Sequence, residues 1–242
     1  MLKVVEKIKE KSEDICNQKP ITIAFLGDSV TQGCFECYKT GQNSMETVFD
    51  YSSAYSTRFK ELLNILYPNV QLNIINSGIS GGATSAGLSR LERDVLCYHP
   101  DLVVVSFGLN DACGGLRNLK NYEANLRGIF KDIKENGCEC IFMTQNYMNT
   151  ELSCHIANDA FFVSTAKQLS EIQNSGVLKE YFQTAKILAK EFDVPVCDMY
   201  AVWEKMHESG VRVTELLANK LNHPIREFHY YMAIKLIETI FS

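Results

Sequence analysis

Five short apolar runs constrain this 242-residue chain more than any other feature. They are "ITIAFLG" (21–27), "VQLNIIN" (70–76), "DLVVVSFG" (101–108), "CECIFMTQ" (138–145) and "VPVCDM" (194–199). Each is too short for a buried helix and reads as a strand. The unbroken apolar character of the first and third means burial on both faces. Between the runs, apolar residues recur at helical spacing. Helices are expected over 2–17, where Val4, Val5, Ile8 and Ile15 share a face ahead of Pro20, and over 53–67, with Phe59, Leu62, Leu63 and Leu66. Further helices are expected over 85–98, over 119–136 with Gly137 as C-cap, through much of 160–192, and over 225–241. Strands alternating with helices, and no hairpin signal, predict a parallel sheet covered on both sides. No linker, internal repeat or low-complexity segment interrupts the pattern, so residues 1–242 read as a single domain. The longest irregular stretches, 31–50 and 146–158, directly follow strands. They are expected at the carboxyl end of the sheet, where such folds place ligands.

Charge and composition exclude several classes of function. The net charge of −5 offers no basic surface for nucleic acid. No apolar run approaches the roughly 18 residues that cross a bilayer. The start, "MLKVVEKIKEKSEDIC", is charged throughout and does not read as a secretory signal. Nine cysteines, an odd number, then read as reduced thiols, and a cytoplasmic location is expected. Cys34 and Cys37 form a C-x-x-C, and Cys138 and Cys140 a C-x-C. Together they offer zinc-ligating thiolates, but neither pair has the spacing of a structural zinc site. No metal and no other cofactor is expected.

Four segments carry residues suited to chemistry. "FLGDSVTQG" ends the first strand and puts Ser29 at the carboxyl edge of the sheet. A simple turn explains "GDS" as well, with Asp28 shaping the loop. "NSGISGGAT" follows the second strand, with Gly78, Gly81 and Gly82 just before a helix that Thr84 would cap. Such a loop brings backbone N–H groups close to a bound oxygen, although it lacks the lysine and spacing of a phosphate loop. "GLNDACGG" follows the third strand and presents the Asn110 amide, or alternatively an Asx turn. "NHPIREFH" places His223 ahead of the last helix. Of the other histidines, His99, His207 and His229 lie at strand or helix positions, whereas His155 sits in a loop.

In this order, "GDSV", "GISGGAT", "GLND" and "NHP" resemble the motifs of the SGNH hydrolases, the GDSL-type esterases and lipases, from the first strand to the last helix. The resemblance implies a three-layer α/β/α, flavodoxin-like fold with a five-stranded parallel sheet in the order 2-1-3-4-5. The loops carrying Ser29, Gly81 and Asn110 then meet at the topological switch point. It further implies Ser29 as nucleophile, His223 as general base, and the Ser29 N–H, the Gly81 N–H and the Asn110 amide as an oxyanion hole. One position departs from the pattern. Where the family's D-x-x-H block has an acid, this chain has Lys220, which cannot accept a bond from an imidazole N–H. Either a backbone carbonyl orients His223, or an acid from elsewhere does; Asp198, at the end of the fifth strand, is the candidate by topology. The implied activity is hydrolysis of a small acyl ester, an acetylated carbohydrate or related metabolite. The polar, aromatic-bearing loops suit a hydroxylated ligand, and no apolar lid is evident. A thioesterase or lysophospholipase would use the same residues. A non-catalytic binder is the reading from outside enzymology. The sequence leaves the oligomeric state open.

Overall fold

The computed structural model describes residues 1–42 and 44–242. Helix α1 (Lys3–Glu13) leads into β1 (Ile21–Gly27). A one-turn helix α2 (Ser29–Gln32) is followed by β2 (Cys34–Gly41), β3 (Ser44–Phe49) and α3 (Tyr55–Leu66). Then come β4 (Leu72–Gly78), α4 (Thr84–Asp94), β5 (Leu102–Ser106), the short α5 (Leu109–Ala112), α6 (Leu119–Glu135) and β6 (Glu139–Thr144). The chain ends with α7 (Ala160–Asn174), α8 (Val177–Glu191), β7 (Val196–Asp198), α9 (Met199–Glu208) and α10 (Arg226–Phe241). Strands β4-β1-β5-β6-β7 form one parallel sheet. Counting only these five, the order is the expected 2-1-3-4-5.

The sheet is apolar on both faces, as the continuous runs required. Ile23 to Leu26 and Leu102 to Val105 are wholly buried. On one face the Phe25 ring meets Tyr55 and Phe59 edge-on at 5.5 and 5.8 Å, which seats α3, and α10 packs beside it. On the other face Phe130 of α6 meets Phe142 of β6 at 5.9 Å, with α4 and α8 packed against α6.

At the carboxyl ends of β1 and β4 the backbones approach too closely for side chains. A Cβ added to Gly78 would lie 2.2 Å from the Gln32 amide nitrogen, which no rotamer change relieves. Gly78→Ala is therefore expected to destabilise the protein by about 1–3 kcal/mol or more, read as a fall in the urea midpoint. An unchanged midpoint would contradict this packing.

The structure departs from the sequence pattern in three places. Residues 31–50 are not irregular: β2 and β3 pair antiparallel as a separate two-stranded ribbon. The ribbon stands outside the main sheet with most of both strands in solvent, so it lacks the apolar alternation that signals a hairpin. The expected long helix of 160–192 is two helices, broken where Gly176 takes φ +80°. Helix α1 ends at Glu13, because the buried Lys11 ammonium turns onto the carbonyls of Ile15 and Gln18 and closes a turn there. No helix among the described residues is long and apolar enough to cross a membrane.

Candidate active site

Ser29 begins α2 in the turn that leaves β1. Asp28 caps the helix through Oδ1, which accepts the Val30 N–H at 3.0 Å, and Gly33 closes it at φ +93°. The turn holds the Ser29 hydroxyl at the carboxyl rim of the sheet. His223 arrives from the other end of the chain. Asn219 folds its loop by accepting the N–H groups of Leu221, Asn222 and His223 on one oxygen at 3.0, 2.9 and 2.9 Å. The imidazole Nε2 then lies 2.9 Å from Ser29 Oγ, and Nδ1 lies 3.0 Å from the Phe35 carbonyl oxygen.

That second contact settles the tautomer. A carbonyl can only accept, so Nδ1 carries the proton and Nε2 keeps a free lone pair facing the Ser29 hydroxyl. Burial lowers the His223 pKa from 6.5 to about 4, opposed only by the Phe35 carbonyl. The imidazole is therefore neutral, the state a general base requires.

Opposite the imidazole stand hydrogen-bond donors. In the turn after β4, the Ser80 N–H is held by Gln32 Oε1 at 2.7 Å and the Gly82 N–H by the Ile79 carbonyl at 3.0 Å. Among the described residues, the N–H groups of Gly81 and Ser29 take no acceptor. The Asn110 amide nitrogen donates to the Gly82 carbonyl at 2.9 Å and, more weakly, to Asp28 Oδ2 at 3.3 Å. An oxyanion would replace the weaker of these two contacts. Ser29, Gly81, Asn110 and His223 all line one cavity of about 440 Å³. The ribbon completes its wall with Met45, Glu46, Thr47 and Phe49, and α7 with Leu169.

Two expectations need correction. Asp198 does not orient His223. It caps α9 by accepting the Ala201 N–H at 3.1 Å, and its carboxylate also takes Thr144 Oγ1 and Lys186 Nζ at 2.8 and 2.9 Å. At the end of β7 it is drawn to these neighbours, while Phe35 occupies Nδ1. Thr84 does not cap its own helix either. Its N–H and hydroxyl donate to Asp111 Oδ1 at 3.1 and 2.6 Å, so α5 caps α4 and ties the Gly81 turn to the Asn110 turn. Lys220 turns away from the site, with φ +57° and its ammonium 3.1 Å from Glu215. His155 is largely exposed and faces Glu215 at 3.8 Å. Cys34 and Cys37 lie on the ribbon, while Cys138 and Cys140 lie at the opposite, amino end of β6, so the two pairs do not converge.

Several supporting residues carry no sequence signal of their own. Buried Arg90 donates to the carbonyls of Ser77 and Gly27 at 2.6 and 2.9 Å, stitching together the strand ends that carry Gly81 and Ser29. Gln145 donates to Asp28 Oδ2 at 2.9 Å and accepts the Leu109 N–H at 3.0 Å. Burial raises the Asp28 carboxyl from 3.8 to about 7 despite these bonds. The buried Asp28 carboxyl thus takes up a proton more readily than an exposed aspartate.

A serine hydroxyl on a neutral, oriented imidazole, facing free N–H groups at the switch point of a parallel sheet, is the equipment of a serine hydrolase. Residues 25–229 match the GDSL-like Lipase/Acylhydrolase family, and the chain belongs to that family as a carboxylic ester hydrolase. It is 25% identical over 198 residues to an acetylxylan esterase of Geobacillus stearothermophilus, covering 77% of this chain and 86% of that protein. It is 26% identical over 199 residues to thioesterase 1/protease 1/lysophospholipase L1 of Escherichia coli K12, covering 78% and 74%. Among solved structures, an acetylxylan esterase from Geobacillus stearothermophilus superposes with TM-score 0.67 at 22% identity, over 91% of this chain and 94% of that one.

Proposed function

We propose that the chain hydrolyses a small acyl ester, most simply an acetyl ester of a carbohydrate or related metabolite, through a Ser29–His223 dyad. The observation that carries this reading is the 2.9 Å contact between Ser29 Oγ and His223 Nε2 inside a cavity walled by unused N–H donors. His223 takes the Ser29 proton as the oxygen attacks the ester carbonyl. The oxyanion is received by the N–H groups of Ser29 and Gly81 and by the Asn110 amide, and each such donor is worth about 3–4 kcal/mol in the transition state. His223 then protonates the leaving alkoxide. Water repeats the sequence on the acyl-enzyme and releases the acid.

The cavity, about 440 Å³, fits a small ligand rather than a long acyl chain. Its polar lining includes Glu46, Thr47 and Asn222, which supports a hydroxylated leaving group. The likeness to acetylxylan esterases supports the same choice. A second reading, a thioesterase or lysophospholipase, is favoured by the apolar Met45, Phe49 and Leu169 on the same wall and by the Escherichia coli relative. The buried core runs from Val4 to Ile240, which supports one domain over 1–242. All nine cysteines are free thiols, which suits a reducing, cytoplasmic compartment. The partner is then the small ester itself, with neither nucleic acid nor membrane required.

A p-nitrophenyl ester series tests the reading. Turnover is expected to peak at acetate and to fall by roughly 10⁴- to 10⁶-fold in Ser29→Ala. A maximum at long acyl chains would move the assignment to the second reading. A folded protein with no turnover on any ester would remove both.

A further inference from the structure

The missing acid at position 220 leaves a physical question. A catalytic imidazole must be held in place, and among the described residues the backbone carbonyl of Phe35 meets its Nδ1. Phe35 lies on β2, in a ribbon outside the main sheet. The pairing slips between Cys34 and Cys37, so the ladder itself does not fix this carbonyl. Something else must.

Arg226 meets the requirement. It opens α10, three residues after His223, and reaches Glu36 on β2 and Asp50, the residue just after β3. Its guanidinium grips Glu36 with two parallel bonds of 2.6 and 3.1 Å, and its Nε donates to Asp50 at 2.9 Å. Its Cζ sits 4.3 Å over the Phe35 ring, and the His229 ring approaches the same Phe35 ring at 4.6 Å. Asp50 is itself anchored, its N–H on the Gly33 carbonyl at 2.9 Å and its carboxylate on Ser52 and Ser53. One planar cation thus binds the segment that carries the base to the segment that carries the orienting carbonyl. A lysine could not bridge these two carboxylates in the same plane.

We propose that Arg226 is a positioning residue for the catalytic base: clamped to Glu36 and Asp50 and stacked on Phe35, it fixes the carbonyl that takes the place of the absent acid. The proposal rests on the Ser29–His223 reading above. It also separates position from stability. The Arg226 and Glu36 side chains are 36% and 45% exposed, and exposed ion pairs add little to folding.

The test uses the full chain with Arg226→Met, Arg226→Lys and Glu36→Gln. Five quantities are read: kcat and KM on p-nitrophenyl acetate, the rate of Ser29 labelling by a fluorophosphonate, the NMR resonance of the His223 Nδ1 proton, and the melting temperature. In Arg226→Met, kcat and the labelling rate are expected to fall about ten- to a hundred-fold, the effect of a small misplacement of a catalytic group. KM stays within about twofold, as expected when only transition-state stabilisation is lost. The melting temperature barely moves and the Nδ1 proton shifts upfield. Arg226→Lys falls between that variant and the parent. Should Arg226→Met not fold, Glu36→Gln, which keeps shape and removes charge, carries the same criteria. A parent-like kcat in the variants overturns the clamp, as does a loss that follows melting temperature while the Nδ1 resonance stays put. A parent protein that neither turns over esters nor labels at Ser29 overturns the nucleophile reading and the clamp with it.

Discussion

His223→Ala is expected to lower kcat on an acetyl ester by roughly 10⁴- to 10⁶-fold, with little change in KM. A serine hydroxyl is a weak nucleophile at neutral pH, and among the described residues the base in contact with Ser29 Oγ is the His223 Nε2 lone pair at 2.9 Å. Removing it leaves the proton on the attacking oxygen and strands the leaving group without an acid. Ser29→Ala should cost the same, because the two side chains act as one unit. The double variant Ser29→Ala/His223→Ala should therefore be no slower than either single variant. A residue of about 10³-fold over the uncatalysed reaction should survive in all three, since the Gly81 N–H and the Asn110 amide remain. Single-turnover kinetics on p-nitrophenyl acetate measure all four corners of this cycle. Losses that multiply in the double variant would mean the imidazole and hydroxyl act separately, and the dyad would have to be abandoned.

The sequence made some of this legible and hid the rest for physical reasons. Strands buried on both faces are written as unbroken apolar runs, so β1 and β5 were plain, and the sheet order followed from the resemblance. Ser29, Gly81, Asn110 and His223 stand in motifs, and the structure brings all four to one cavity. The ribbon β2–β3 was not legible, because its strands are largely solvated and the bulge breaks any period. The partner of His223 was legible only as an absence at Lys220. A main-chain carbonyl has no letter in a sequence, and the turn that delivers Phe35 depends on contacts across most of the chain. Arg90 shows the same limit. Its guanidinium serves two backbone carbonyls, and nothing in "LSRLERD" distinguishes it from the exposed Arg93 three residues on. Arg226 and Asp111 lay inside quoted motifs, but their partners Glu36, Asp50 and Thr84 are distant in sequence.

The acid limb of kcat/KM is expected near pH 4, well below the ordinary imidazole value of 6.5. The limb reports the free enzyme's base. His223 is buried, and the carbonyl on Nδ1 gives its protonated form far less support than a carboxylate would, so its pKa falls to about 4. The same depression acts on folding. His229, wholly buried on α10 with Nδ1 accepting the Tyr55 N–H, falls to about 3, chiefly through burial and then through the nearby His223 and Arg226. Between pH 6.5 and 4 the unfolded chain binds protons that the folded histidines refuse. Their contribution is thus complete above 6.5 and drains away as the pH falls, at roughly 1.4 kcal/mol per unit for each group. Asp28 works in the opposite direction. Its folded pKa is raised from 3.8 to about 7, so it favours the fold at low pH and loses that contribution as the pH climbs through 7. Asp111, whose pKa burial also raises, acts with Asp28, so the histidines' share is read from how variants change the slope of the urea midpoint between pH 6.5 and 4.5. His229→Gln should make the midpoint fall less on acidification, while Asp28→Asn should make it fall more by removing an opposing group. An acid limb near 6.5 would mean a negative charge supports the imidazolium after all, and Phe35 would not be what holds His223.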